Sequence, residues 1–472
     1  MIVKNNIFGV ELMRKKIVLY LVLFIIIFIW NLYFVGITNY DEVWAYGFSS
    51  NIINGLIPYR DYNMVIGPVY PVFISFFLFL FGNNMVSFVI ANTTIYFLIY
   101  IFMKKFVSTY ASLYVILFTV FLLFPGYNCF CFLLFLMILY IEKNSSNDFL
   151  IGILLAFLCF TKINIGIFLL VPSFILFFRK KNFEKFLRRV LSFLCVCLIF
   201  VLIMFFNSSL IDFINYTILG LVSFGKNNLH IDYSIIIWFV VLGFLFYCIY
   251  KYWNIDKLFL IYSLCFLFIS YPLFDFFHVY VSILPALLYV FNKFNLLKDD
   301  NKILRLGLVY VVFIFYFSVI LFYSGSNQVN YKNNVVLRYK KIDSNLVNIL
   351  DYVNYRFSDF DDNSKLFIFS TWAYLFKMEL DMPINKYDLI NNGNIGYNGE
   401  DVYIKEIDEY CSVNRCIFLI SRDEYDGRKK NCQINKSILK YVIDNYNLRE
   451  SYVGSSDHFE IYDNSKMCLF KK

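Results

Sequence analysis

Charge is what this sequence has least of. Only 16% of its 472 residues are Asp, Glu, Lys or Arg, whereas a soluble globular domain carries about a quarter. Set against a hydrophobic share of 60%, that deficit excludes a soluble enzyme and equally a disordered or fibrous chain. No C-x-x-C or H-E-x-x-H spacing marks a zinc site. The run N-G-N-I-G-Y-N-G over 392–399 lacks the G-x-G-x-x-G spacing and follows no strand, so it reads as a loop and not a nucleotide site. No small-residue cleavage site follows the first apolar run, which is therefore expected to remain as a first span. The net charge of +8 forms no nucleic-acid footprint. Its basic residues sit in short runs between apolar segments, as the positive-inside rule requires.

What the chain does have is length of apolar sequence. Twelve segments look able to cross a bilayer: 17–35, 66–82, 85–103, 106–124, 128–141, 149–160, 163–178, 187–206, 234–250, 257–273, 276–292 and 303–323. If all twelve cross, Lys104, Lys105 and the basic run Arg179–Arg189 fall outside. Pro68 and Pro71 interrupt 66–82, and its uninterrupted part is about half of the ~20 residues a spanning helix needs. With that segment lying in the interface as an amphipathic helix, eleven spans remain. Lys104, Lys105, Lys143, Arg179–Arg189, Lys251, Lys257 and Lys293–Arg305 then all become cytoplasmic. The expected architecture is an α-helical polytopic domain over 1–325 with a cytoplasmic N-terminus. An extracytoplasmic α/β domain follows over 326–472, where the composition shifts to Asn, Asp, Lys and Tyr. Two outer loops are large: Gly36 to Asn84, and Asn207 to Tyr233.

Ionisable groups at the membrane surface are costly and so point to function. Asp41 and Glu42 end the first span, and Arg60 and Asp61 follow in the same outer loop. The plain alternatives are that Asp41 and Glu42 cap a helix beginning at Val43, and that Arg60 and Asp61 form a local salt bridge. Lys162 sits between the short spans 149–160 and 163–178, at the outer turn, with no acidic neighbour in sequence. It is a candidate phosphate contact or a snorkelling lysine. Asp275 and His278 are placed to share one helical face.

These motifs, in this order, resemble the GT-C superfamily of polytopic glycosyltransferases, in particular the protein-mannosyltransferase and aminoarabinose-transferase-like branch. The matching residues are the pair Asp41-Glu42, then P-Y-R-D (58–61), G-P-V-Y-P (67–71), T-K-I-N-I-G (161–166), and D-F-F-H (275–278) followed by Pro285. The resemblance covers roughly residues 15–325. It implies transfer of a sugar from a polyprenyl-phosphate carrier to a glycan, lipid or protein acceptor on the outer face of the plasma membrane. Asp41 would be the general base, and Glu42, Arg60, Asp61, Lys162, Asp275 and His278 the substrate-binding set. One carboxylate suffices for that chemistry, because a phosphate already leaves readily and only the acceptor hydroxyl must lose a proton. Cations must hold the departing phosphate. Many relatives carry a second acidic residue in the outer loop after the third span. Here Pro125-Gly126-Tyr127-Asn128 has none, so a divalent metal, which wants several carboxylate oxygens, finds no support.

In the tail, 345–356 and 434–446 have helical spacing, and 366–370 and 416–421 read as buried strands. Cys411, Cys416, Cys432 and Cys468 allow three disulfide pairings in an oxidising compartment. Two other functions compete. A polysaccharide polymerase or ligase would place arginines in a late outer loop, but 207–233 carries only Lys226. A transporter or flippase would show internal repeats or charges midway along spans, and neither is evident.

Overall fold

The structure, a computed structural model, describes residues 17–34, 40–64, 66–122, 126–144, 147–177, 183–220, 230–293, 328–331, 336–337, 340–357, 364–384, 386, 388, 395–426, 435–453 and 458–464. The segment 303–323, Lys226, Cys432 and Cys468 lie outside them.

The first helix, α1, spans Ile17–Tyr33. The large outer loop then folds as two helices, α2 (Tyr40–Ile53) and α3 (Val69–Phe81). Asp41 and Glu42 lie inside the first turn of α2 and not before a helix starting at Val43. In α3 the pattern is two-faced: Tyr70, Ile74 and Leu78 are buried while Phe76, Phe79 and Phe81 are exposed. Thirteen residues give about 20 Å of helix, short of a hydrocarbon core of about 30 Å.

A bundle follows: α4 (Met85–Met103), α5 (Thr109–Leu122), α6 (Tyr127–Asn144), α7 (Asp148–Cys159), α8 (Ile163–Phe177) and α9 (Phe183–Phe206). The turn between α7 and α8 contains Thr161 and Lys162, as expected. α10 (Leu210–Leu219) lies in what the sequence reads only as a loop. Helical hydrogen bonding then runs unbroken from Ser234 to Phe266, yet Trp238 Nε1 donates to the Leu267 carbonyl at 3.0 Å. A straight helix would hold those residues about 43 Å apart, so the chain doubles back as α11 (Ser234–Tyr252) and α12 (Lys257–Ser270). α13 (Phe276–Lys293) completes the described bundle. β1 (His230–Ile231) pairs in parallel with β2 (Leu273–Phe274), tying the chain before α11 to the start of α13.

Among the described residues, five helices are long and apolar enough to cross a membrane alone: α4, α6, α9, α11 and α13. α1, α7 and α12 are apolar but shorter. Outward faces such as Leu191, Leu194, Leu198 and Phe205 of α9 are exposed hydrocarbon, which suits lipid contact. The fold is that of a polytopic membrane protein.

The two ends of the bundle differ in chemistry. At one end Arg189, 2% exposed at its side chain, bridges Glu142 and Asp148, each at 2.7 Å, joining α6, α7 and α9. Tyr262 also donates to Glu142. Lys104, Lys143 and Lys293 stack on aromatic rings near that end. The sequence reads Arg189 as one more exposed loop cation; it is instead the buried hub of an ion-pair cluster, invisible to a linear scan because its partners are 41 and 47 positions away. About 22 Å along α6, at Tyr127, the opposite end holds the outer-loop chemistry described below.

In the tail, β3 (Gln328–Asn330) and β4 (Lys341–Asp343) form an antiparallel pair. A four-stranded sheet follows, in the order β5 (Ser364–Phe369), β6 (Arg415–Ser421), β8 (His458–Asp463), β7 (Asn447–Val453). β5 and β6 are parallel and the other pairs antiparallel. Both buried strands expected from sequence are present, while β7 and β8, polar on alternate residues, are not legible there. Helices α14 (Ser344–Phe357), α15 (Ala373–Glu379), α16 (Glu400–Val413) and α17 (Lys436–Asn445) surround the sheet. A disulfide joins Cys411 to Cys416.

Candidate active site

A cleft of about 80 Å³ opens at the Tyr127 end of the bundle. Its walls come from five separate parts of the chain: Gly67 of the first loop, Tyr127 at the start of α6, Thr161, Lys162 and Asn164 at the α7–α8 turn, Tyr216 of α10, and Tyr271 and His278 around the start of α13. Gly67 explains one motif. Its N–H donates to the Thr161 carbonyl at 3.1 Å, and Val69 N–H to Phe160 at 3.2 Å. A Cβ at Gly67 would stand 1.9 Å from the Phe160 carbonyl oxygen, so only glycine lets G-P-V-Y-P lie against the T-K turn.

Lys162 is held by side-chain and backbone acceptors. Its Nζ donates to Asn128 Oδ1 at 3.0 Å and to the Ile269 carbonyl at 2.6 Å, and it lies 5.4 Å from the Tyr127 ring centre. Asn128 lies in the first turn of α6, within the stretch 125–128 that carries no acidic residue. Removal from water pushes the Lys162 ammonium down to about 8, against the pull of Cys131, Asp41 and Asp275. The sequence reading found Lys162 but not Asn128, Asn164 or Tyr271. Asn164 Nδ2 donates to the Tyr271 carbonyl at 3.0 Å. Only tertiary structure links these residues to the turn.

Asp275 caps α13. His278 N–H donates to Asp275 Oδ1 at 2.9 Å, and the ring Nδ1 lies 2.9 Å from both Asp275 oxygens. Burial works to raise the Asp275 carboxyl, but the His278 bonds and charge win and hold it below the usual carboxylate value. The pair therefore fixes the imidazole on the cleft wall, with Nδ1 facing the carboxylate and Nε2 on the other edge of the ring.

Asp41 stands in the field of these groups. Loss of bulk water raises its carboxyl pKa; His278 and then Lys162 oppose the rise, and Asp275 adds to it. Four sequence candidates, Asp41, Lys162, Asp275 and His278, are thus brought within electrostatic reach of one another from α2, the α7–α8 turn and α13.

The other three lie elsewhere. Glu42 is buried and paired with Lys340 at 2.7 Å. Arg60 and Asp61 form a salt bridge at 2.8 Å whose arginine is 45% exposed. Asp61 also accepts from Ile57 N–H at 2.7 Å, closing the loop on itself. None of the three lines the cleft, and of the other four candidates Lys162 and His278 do. Asp212 pairs with Lys386 at 3.6 Å. No group of three or more His, Cys, Asp or Glu among the described residues could hold a metal ion.

No family model matches this sequence, and no curated protein sequence matches it either. The fold does have relatives. ArnT from Cupriavidus metallidurans in the apo state superposes with a TM-score of 0.55 at 11% identity, over 96% of this chain and 98% of that one. The crystal structure of the same protein bound to undecaprenyl phosphate gives 0.53 at 11% identity, with the same coverage. The chain shares the fold of ArnT, bundle and tail together.

Proposed function

We propose that the protein is a membrane glycosyltransferase that takes a sugar from a polyprenyl-phosphate carrier, with Asp41 as general base. The observation that carries the reading is that one carboxylate, Asp41, stands in the electrostatic field of Lys162 and His278, the two cations that line the cleft at this end of the bundle. In the reaction, an acceptor hydroxyl oxygen attacks the anomeric carbon and its proton passes to Asp41. The bond from that carbon to the phosphate oxygen breaks, and the electron pair leaves on the phosphate. Lys162 and His278 take up the phosphate charge in a site screened from bulk water, where such contacts are strongest. Among the described residues, two of the three Lys162 N–H groups are engaged by Asn128 and Ile269, which leaves one for a phosphate oxygen. A single displacement inverts the anomeric centre. Tyr127, Tyr216 and Tyr271 supply ring faces for the sugar.

The binding of undecaprenyl phosphate by the structurally similar ArnT supports a polyprenyl-phosphate partner. The concentration of Lys104, Lys143, Lys293 and the Arg189 cluster at the other end of the bundle supports a cytoplasmic assignment for that end. The cleft and tail then face outward in the plasma membrane. The Cys411–Cys416 disulfide fits that oxidising side. The eleven-span count and the boundary near residue 326 belong to this proposal.

The test is direct. Full-length protein in lipid nanodiscs is incubated with the polyprenyl-phosphate sugars of a bacterial lipid extract and an acceptor extract, and lipids are followed by mass spectrometry. Consumption of one glycosylated carrier with matching release of polyprenyl phosphate is expected. If no carrier is consumed, the reading fails.

A further inference from the structure

Asp41 and Glu42 are adjacent, and a helix turns about 100° per residue, so the two side chains point different ways. Glu42 points into the tail. Its Oε1 lies 2.7 Å from Lys340 Nζ, and both side chains are 1% exposed. Its Oε2 is buried with no hydrogen-bond partner among the described residues. Lys340 Nζ also donates to the Asn31 carbonyl in α1 at 2.9 Å. One tail lysine therefore joins the end of α1 to the first turn of α2. The tail grips α2 further along as well. Trp44 Nε1 donates to the Thr371 carbonyl at 3.4 Å, and Asn51 Nδ2 to the Ile384 carbonyl at 3.3 Å. Gly47 lies so close that a Cβ there would stand 2.3 Å from Tyr374 Cδ1.

We infer that Lys340 is a positioning residue for Asp41, acting through Glu42 and helix α2, so that the tail sets the register of the base. The inference rests on the general-base reading above. Without Lys340, a buried carboxylate loses its cation. Such a group must take up a proton or drag its helix toward water, and a shift of about 1 Å in a reacting group costs on the order of a hundredfold in rate. A purely architectural tail contact would instead weaken folding and lipid binding together.

The test uses full-length protein in nanodiscs and the variants K340M, K340R and the doubly neutral E42Q/K340M. Three quantities are measured: hydrogen exchange over 40–53, undecaprenyl phosphate binding, and kcat and KM for the carrier that wild type consumes. K340M is expected to exchange faster over 40–53 and to lose about ten- to a hundredfold in kcat, with KM and undecaprenyl phosphate binding within about twofold of wild type. K340R and E42Q/K340M are expected to recover most of the rate, because neither leaves an unpaired buried charge. Unchanged exchange and kcat in K340M would overturn the inference. So would parallel loss of kcat, lipid binding and thermal stability that neither rescue variant restores. If D41N turns over normally, the base reading falls, while the exchange data still decide whether Lys340 sets α2.

Discussion

Lys162 carries the sharpest expectation at the scale of single residues. Its ammonium is pushed down to about 8 by loss of water, so it is charged below that pH and neutral above it. Phosphate stabilisation should therefore fade as pH rises through about 8. The Asp41 carboxyl is raised above its ordinary value, so the base is lost on the acid side earlier than for a solvated aspartate. Transfer should follow a bell-shaped pH profile. K162R keeps its charge at every accessible pH, and the alkaline limb of its profile should move up by more than one unit even if the maximum is lower. A limb that stays near 8 in K162R would assign it to another group. Asp41, Lys162, Asp275 and His278 were legible in the sequence because charges are rare there and each stands at the end of an apolar run. Asn128, Asn164 and Tyr271 were not, because a polar neutral residue in an Asn- and Tyr-rich chain carries no signal until its partner, 34 or 107 positions away, is seen.

Between elements, two contacts are decisive. Gly67 brings the first loop against the α7–α8 turn, and the displaced carbonyl in G67A would be the one following α7. G67A should fold, bind undecaprenyl phosphate more weakly and lose at least about tenfold in turnover, measured side by side with wild type. Arg189 belongs to the other end. R189M leaves Glu142 and Asp148 without their cation, at a cost of about 3–5 kcal/mol. A lowered melting temperature in detergent, with undecaprenyl phosphate affinity of the surviving folded fraction unchanged, is the expected outcome. The short length of α3 was readable from Pro68 and Pro71, and the pair α7 and α8 from the single lysine that divides them. The hairpin of α11 and α12 was readable as well, from the lysines at 251 and 257, even though the hydrogen-bonding pattern alone hides the turn. Helix α10 and strands β7 and β8 were hidden: a four-residue α-helical start and the polar, largely exposed edge strand β7 have composition indistinguishable from loop, and β8, though buried beside β6, is half polar in sequence.

For the whole molecule, the sequence separates a membrane part from a tail, but the structure shows the tail built into the site. Lys340 meets Glu42, Asn63 donates to the Lys386 carbonyl at 2.9 Å, and Lys386 Nζ approaches Asp212 beside the cleft residue Tyr216. Such contacts, the longest across 323 positions, have no signature in a linear reading. They imply that the bundle and tail act as one unit. Sugar transfer by D41N decides whether the proposed base works as described. Purified wild type and D41N, matched for undecaprenyl phosphate binding, are assayed with the same polyprenyl-phosphate sugar. If Asp41 is the base, D41N should bind the lipid as wild type does and turn over at least about a hundredfold more slowly; a D41N rate within twofold of wild type would contradict it.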